Sequence, residues 1–206
     1  MSKLFLGIAL ASTAIWSVPE SSVDTVRDTR AGVSECELAE EWVAANLNVL
    51  PKTLGEFAEH SVTFRRAIYG ALDTEARVSL WRQNLVAVAD GTAISPEQRL
   101  YLEELSGMLD GYLRDSTHRS EHDALMAEAR AILGDDLAYR AIAMLGPVAE
   151  ATPAVTNCSC STKSDWCGLS SGGTSACFGG GCRNVLFCGT LWLRVCDGTC
   201  RQVIFH

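Results

Sequence analysis

Eight of the chain's nine cysteines fall in its last fifty residues: Cys158, Cys160, Cys167, Cys177, Cys182, Cys188, Cys196 and Cys200. Cysteine at this density does one of three things: it forms disulfides, binds a soft metal, or acts as a thiol. Zinc fits poorly. Structural zinc sites use two matching pairs at short spacing. Here Cys158 and Cys160 stand too close for such a knuckle, no Cys-x-x-Cys occurs, and the only histidine in the segment is the terminal His206. No motif supports a catalytic thiol. Disulfides fit, because a fifty-residue segment buries too little apolar surface to be secure by itself. Each bond would add about 2–4 kcal/mol by restricting the unfolded chain. Eight cysteines allow about 105 pairings, and the sequence does not choose among them.

Three other groups invite a chemical reading. His118-Arg119-Ser120-Glu121-His122 matches the inverted zinc-peptidase pattern H-x-x-E-H, with two histidines one helical turn apart and Glu121 as base. It lies in the polar run DSTHRSEHD, where Ser120 reads as a helix cap, so a solvated helix entry explains it more simply. Cys36 is the odd cysteine and reads as a half-buried free thiol on the first helix. A charged Glu35 directly before it argues against lipid attachment. Arg65-Arg66 with Trp42 and Trp81 would make a recognition surface. The simpler expectation is solvated arginines and core tryptophans.

The elements that must position these groups follow from periodicity and punctuation. Residues 1–22 read as a secretory signal: Lys3, then a mostly apolar run from Leu4 to Val18, then Pro19. That run is short for a membrane span. Residues 23–33 form a polar linker. Residues 34–145 carry helical patterns. Ser34 with Glu37 makes a capping box, and Leu38, Trp42, Ala45 and Val49 predict one apolar face, stopped at Pro51. Thr53 caps a short segment through Phe57. Asp73 or Thr74 opens a helix striped by Val78, Trp81, Leu85 and Val88. Ser95-Pro96-Glu97-Gln98 is a further capping box, ahead of Leu102, Leu105, Leu109 and Tyr112. Two more helices follow, one striped by Leu125, Ala129 and Ile132, the other by Leu137, Ala141 and Leu145. Residues 146–156, GPVAEATPAVT, form a second linker of the kind proteases cut. Residues 157–206 change to extended patterns at 185–187, 191–195 and 203–205, with turns at Gly189-Thr190 and Asp197-Gly198. The expected fold class is an α-helical bundle of about six helices, followed by a small disulfide-rich C-terminal domain with a short β-meander.

Charge divides along the same boundary. The tail carries Lys163, Arg183, Arg194 and Arg201 against Asp165 and Asp197, a net +2. Of 17 basic and 25 acidic residues in all, the remainder keeps 13 and 23, a net −10. An acidic body and a basic tail attract one another. The tail's charge is too small to indicate nucleic-acid binding.

The opening of the tail, Asn157-Cys158-Ser159-Cys160-Ser161-Thr162 and then Ser164-Asp165-Trp166-Cys167, resembles the bacteriocin fulvocin C-related family, as do the body stretches RRAIYGAL, SLWRQNL and SPEQRL. The tail resemblance is close over its first eleven residues. Beyond Cys167 it lies mainly in cysteine count and glycine content. It implies a secreted antibacterial peptide whose eight cysteines form disulfides, released by proteolysis near Thr156 and Asn157 from a non-enzymatic precursor without cofactor or metal. Its partners would be a processing protease and a target bacterial cell, including that cell's membrane. Trp166, Phe178, Phe187, Trp192 and Phe205 would supply an apolar face for the membrane, or else fill the tail's own core. The helical region would serve as a pro-region that pairs with the tail, or as an immunity element. Two rival functions stay in view: an uncleaved secreted binding or inhibitor protein, and a small zinc metallopeptidase on His118, Glu121 and His122.

Overall fold

In the computed structural model, residues 34–91, 93–114, 119–147, 158–167 and 175–203 are described. The predicted signal segment, the first predicted linker, most of the second, the junction at Thr156-Asn157, His118 and Phe205 lie outside them. The chain from Ser34 onward is one compact unit.

Among the described residues seven α-helices build the body: α1 (Glu35–Ala45), α2 (Leu54–Ala58), α3 (Val62–Ala71), α4 (Thr74–Gly91), α5 (Pro96–Arg114), α6 (Arg119–Leu133) and α7 (Asp135–Ala138). Their starts are the ones the cap residues dictate. Ser34 and Glu37 close a reciprocal capping box on α1, and Thr53 and Glu56 do the same on α2. Each such cap contributes about 1 kcal/mol. Asp73 accepts from the Ala76 amide at 2.8 Å and so caps α4. Ser95 and Gln98 form the box on α5, and the Gln98 amide also donates to the Ile132 and Leu133 carbonyls at the end of α6. One side chain thus joins the start of one helix to the end of another.

The core lies along α4, through Val78, Leu80, Trp81 and Leu85, with Leu102, Leu105 and Leu109 of α5 and Leu125 and Ala129 of α6. The predicted face of α1 is rotated. Cys36, Ala39 and Val43 are buried, Leu38 and Trp42 are half-buried, and Ala45 and Val49 are exposed, Val49 to 73%. Because α1 stops at Ala45 and a 3-10 turn over Leu47–Val49 changes the angular phase before Pro51, Val49 leaves the helical face altogether.

The last helix is also shorter than its pattern predicts. After Ala138 the backbone widens into one π turn, Tyr139–Ala143, and becomes extended at Met144. Asn84, buried on α4, explains the widening. Its amide nitrogen donates to the carbonyls of Arg140, Ala141 and Met144 at 3.0, 3.2 and 3.3 Å, and its oxygen accepts from the Gly146 amide at 3.0 Å. Backbone groups freed by the π turn therefore have a partner, which a buried turn requires.

In the tail, β1 (Ser175–Gly179) pairs antiparallel with β4 (Gly198–Gln202), and β2 (Val185–Cys188) pairs antiparallel with β3 (Arg194–Cys196). The fold class is the expected one, a helical bundle followed by a small disulfide-rich domain with short antiparallel strands. Two details differ from the sequence reading. Ser175–Gly179, outside the three predicted extended patterns, supplies β1, the partner of β4. Leu191 and Trp192, read as the start of a strand, belong instead to a 3-10 turn over Thr190–Trp192.

Candidate functional site

All eight tail cysteines are paired: Cys158–Cys182, Cys160–Cys177, Cys167–Cys200 and Cys188–Cys196. Cys177 and Cys200 stand opposite one another on β1 and β4 yet bond elsewhere, to Cys160 and Cys167. The strap Cys158–Cys167 is thereby clamped across the β1–β4 pair. Asp165 reinforces it by accepting from the Cys167 and Cys177 amides at 2.9 and 2.8 Å. The sulfurs of Cys160, Cys167 and Cys177 lie within 4.8 Å of one another, the only metal-like group among the described residues. Two adjacent disulfides account for that proximity, and disulfide sulfur has no thiolate to give a metal.

The H-x-x-E-H reading does not assemble over the described residues. Glu121 is exposed on α6, whereas His122 is 2% exposed and turned toward Tyr112, ring centroids 6.0 Å apart. Burial holds the His122 imidazole below its ordinary range, and the Arg194 guanidinium beside it acts in the same direction. A hydrogen bond with the Tyr112 backbone and the carboxylates of Asp123 and Glu121 oppose them. A depressed histidine contributes stability that is complete above its unfolded value, about 6.5, and is lost as pH falls through the folded value. His122→Gln is therefore expected to flatten the loss of thermal stability between about pH 6.5 and pH 5. An unchanged slope in calorimetric scans would remove this assignment.

Cys36 is free and buried, more deeply than expected for a half-buried thiol. Burial and the Glu40 carboxylate raise its pKa. It lines a cavity of about 250 Å³ with Arg66, Cys158, Arg183, Leu186 and Phe187, at the junction of body and tail.

The arginine pair also departs from expectation. Arg65 is 1% exposed, and its guanidinium donates to the Leu145 carbonyl at 2.7 Å and the Pro147 carbonyl at 3.0 and 3.1 Å. It fixes the point where the chain leaves the body. Arg66 donates to the Ser159 carbonyl at 3.1 Å and lies 5.9 Å from the Trp192 ring. Burial lowers its pKa to about 10. Trp81 is core, as expected, and Trp42 is half-buried.

The central feature is one the sequence reading missed. Trp192 belongs to the tail and is 1% exposed, inside the body. Its ring meets Tyr69 and Trp81 edge-on, with centroids 5.3 and 6.2 Å away, and Phe57 at 6.2 Å. Its indole nitrogen donates to the Ala143 carbonyl at 3.0 Å, on the π turn that Asn84 braces. Phe187 lies edge-on to Tyr69 at 5.2 Å and rests on Gly70. A Cβ on Gly70 would stand 2.6 Å from the Phe187 ring, so only glycine admits this contact. Trp166 is buried too, 6.3 Å from Tyr139, and its indole donates to Ser164 and Thr190 at 3.2 and 3.3 Å. Of the five aromatic residues predicted for an apolar face, three pack against the body, Phe178 is 43% exposed, and Phe205 is not described.

The inserted loop is strained. Phe187, Leu191 and Trp192 have φ of 71°, 50° and 56°. Left-handed backbone costs a non-glycine residue roughly 1–2 kcal/mol, and it persists only where the surroundings over-determine it. Two ion pairs frame the contact: Arg194 with Asp123 at 2.6 Å, and Arg183 with Glu37 at 3.9 Å. In both, the cation comes from the tail and the carboxylate from the body. Gly70, inside a helix that otherwise has no reason for glycine, was the sequence signal of a close approach. Nothing marked Phe187 as its companion, or Trp192 as the anchor beside it.

The arrangement holds a cystine-braced module by a tryptophan anchor, two charge pairs and an arginine at the exit of the chain. No protein-family model, curated protein or solved structure matches this chain.

Proposed function

We propose that the chain is the precursor of a secreted antibacterial peptide of the fulvocin C-related kind, with residues 157–206 as the peptide and the helical body as its pro-region. The observation that carries this reading is the tail's construction. Four disulfides are confined to it, and they enclose a separate cluster of Cys158, Cys188 and Cys196 with Cys182 and Val185. A module braced in this way has its own means of staying folded once detached. Disulfides at this density belong to oxidising compartments, which accords with export by residues 1–22. The residues between Pro147 and Cys158 provide the place for a processing protease to cut, near Thr156 and Asn157. The body, on this reading, pairs with the tail and no enzymatic chemistry is assigned to either.

A second reading has an observation in its favour. Trp166, Leu191 and Trp192 sit in the same apolar cluster as the body's own core. Shared cores suit parts that never separate, as in an uncleaved secreted binding or inhibitor protein. Intact-mass measurement of the secreted product, alkylated with and without reduction, decides between them. The precursor reading expects a released peptide with no free thiol and a body with one, Cys36. Full-length chain alone in the medium overturns it. With disulfides intact that result supports the uncleaved protein. With eight free tail thiols it removes both readings.

A further inference from the structure

We propose that the surface the tail presses into the body is its lipid-binding surface, suited to an anionic bilayer, and that the body holds this surface covered until the chain is cut. The inference rests on the precursor reading and adds the partner and the means of control.

The tail's apolar groups fall into two sets. The Cys158–Cys182 and Cys188–Cys196 cystines and Val185 form a cluster of their own. Its largest apolar side chains, Trp166, Leu191, Trp192 and Phe187, are packed into the body instead. They stand together, since the Trp166 indole donates to Thr190, the first residue of the turn that carries Leu191 and Trp192. The small module therefore has one tryptophan, Trp192, whose indole donor and ring contacts all lie with the body, beside Trp166, whose indole bonds stay within the tail while its ring joins the body's core. Aromatic side chains with a polar edge suit the boundary between lipid and water.

Charge completes the surface. Arg183 and Arg194 flank it, and in the precursor both face body carboxylates, Glu37 and Asp123. Lys163 and Arg201 are exposed. Withdrawing the body uncovers two tryptophans and simultaneously removes the carboxylates opposed to two arginines. An apolar patch rimmed by cations matches anionic headgroups over acyl chains. The body imitates that partner: it offers the rings an apolar pocket and the arginines a carboxylate each. The left-handed backbone at Phe187, Leu191 and Trp192 belongs to the held state, and release allows it to relax.

The test uses the whole chain carrying a specific protease site within residues 148–156. Cut and uncut protein are sedimented with vesicles of phosphatidylcholine alone or mixed equally with phosphatidylglycerol. Uncut chain is expected to stay in the supernatant with both. After cutting, the tail is expected to pellet with the anionic vesicles and leave the body behind. Its partitioning should fall about 30-fold or more on zwitterionic vesicles, the loss of two arginine–headgroup attractions. Glu37→Gln with Asp123→Asn in the cut chain should raise the pelleted fraction by weakening the hold. The proposal is overturned if the cut tail remains with the body in the presence of anionic vesicles, if both lipids bind it equally, or if uncut chain binds as well as cut. A tail that inhibits bacterial growth without touching vesicles sinks this inference alone. A chain its own cells never cut sinks the precursor reading, whatever the vesicles show.

Discussion

Replacing Trp192 by alanine is expected to cost about 3–5 kcal/mol, the range for truncating a fully buried aromatic side chain. Two losses act in one direction. A large ring leaves the middle of an aromatic cluster of Phe57, Tyr69 and Trp81. The Ala143 carbonyl loses its indole donor. Relaxation of the left-handed backbone at Leu191 and Trp192 offsets a part of this. Urea unfolding with disulfides intact measures the effect, because the cystine cluster of the tail then stays closed in both states. Phe178→Ala is the matched control. That ring is 43% exposed, so a change within about 0.5 kcal/mol is expected there. A Trp192→Ala midpoint equal to the parent's would show that the tail is laid against the body and not anchored in it.

The second large effect is expected at Asn84. Asn84→Leu keeps the branching at Cγ, with greater bulk, and removes every polar contact. Three carbonyls and one amide then lie inside the protein without their partner. Each buried orphan costs roughly 1–3 kcal/mol, so a total of about 3 kcal/mol or more is expected after relaxation of the turn. The damage should reach the tail, since the π turn carries the Ala143 carbonyl that receives Trp192. Hydrogen exchange reads this directly: the Gly146 amide and the Trp192 indole should both lose protection in the variant. Asn84→Asp retains the acceptor for Gly146 and loses the three donated bonds. It should leave Gly146 protected while the indole exchanges faster. Equal protection of both protons in all three proteins would dissociate the turn from the anchor.

Together these residues explain how an acidic bundle and a small cystine module make one compact unit. The surface ion pairs contribute little by themselves. Arg183–Glu37 at 3.9 Å is well exposed on both sides, and such pairs are worth about 0–1 kcal/mol. Arg194–Asp123 is better placed, because the arginine is largely enclosed while the carboxylate faces solvent. Orientation comes from charge, and the hold comes from apolar burial with the Trp192 and Arg65 hydrogen bonds.

The features legible before folding are local. Cap residues act on the backbone amides two or three positions away, so Ser34, Thr53, Asp73 and Ser95 set helix starts regardless of their surroundings. Apolar spacing at helical period marked the buried faces of α4 and α5, because periodicity is a property of one segment. Cysteine density and the lack of zinc spacing indicated disulfides. The partners of those cysteines were decided only in three dimensions. Cys177 and Cys200 face each other across two strands, yet the strap carrying Cys160 and Cys167 comes between them as bonding partner. Asn84 and Arg65 read as ordinary polar residues on helices. Each became structural only because a distant stretch, 140–147, brought unpaired carbonyls to it. Trp192 lay in a run of alternating apolar residues that predicts a strand. Tertiary structure made it a turn in left-handed backbone, because burying two large side chains in the body outweighs a few kcal/mol of local strain. Propensity reports on the chain within a few residues, and the energy that places this tryptophan comes from helices more than a hundred residues earlier.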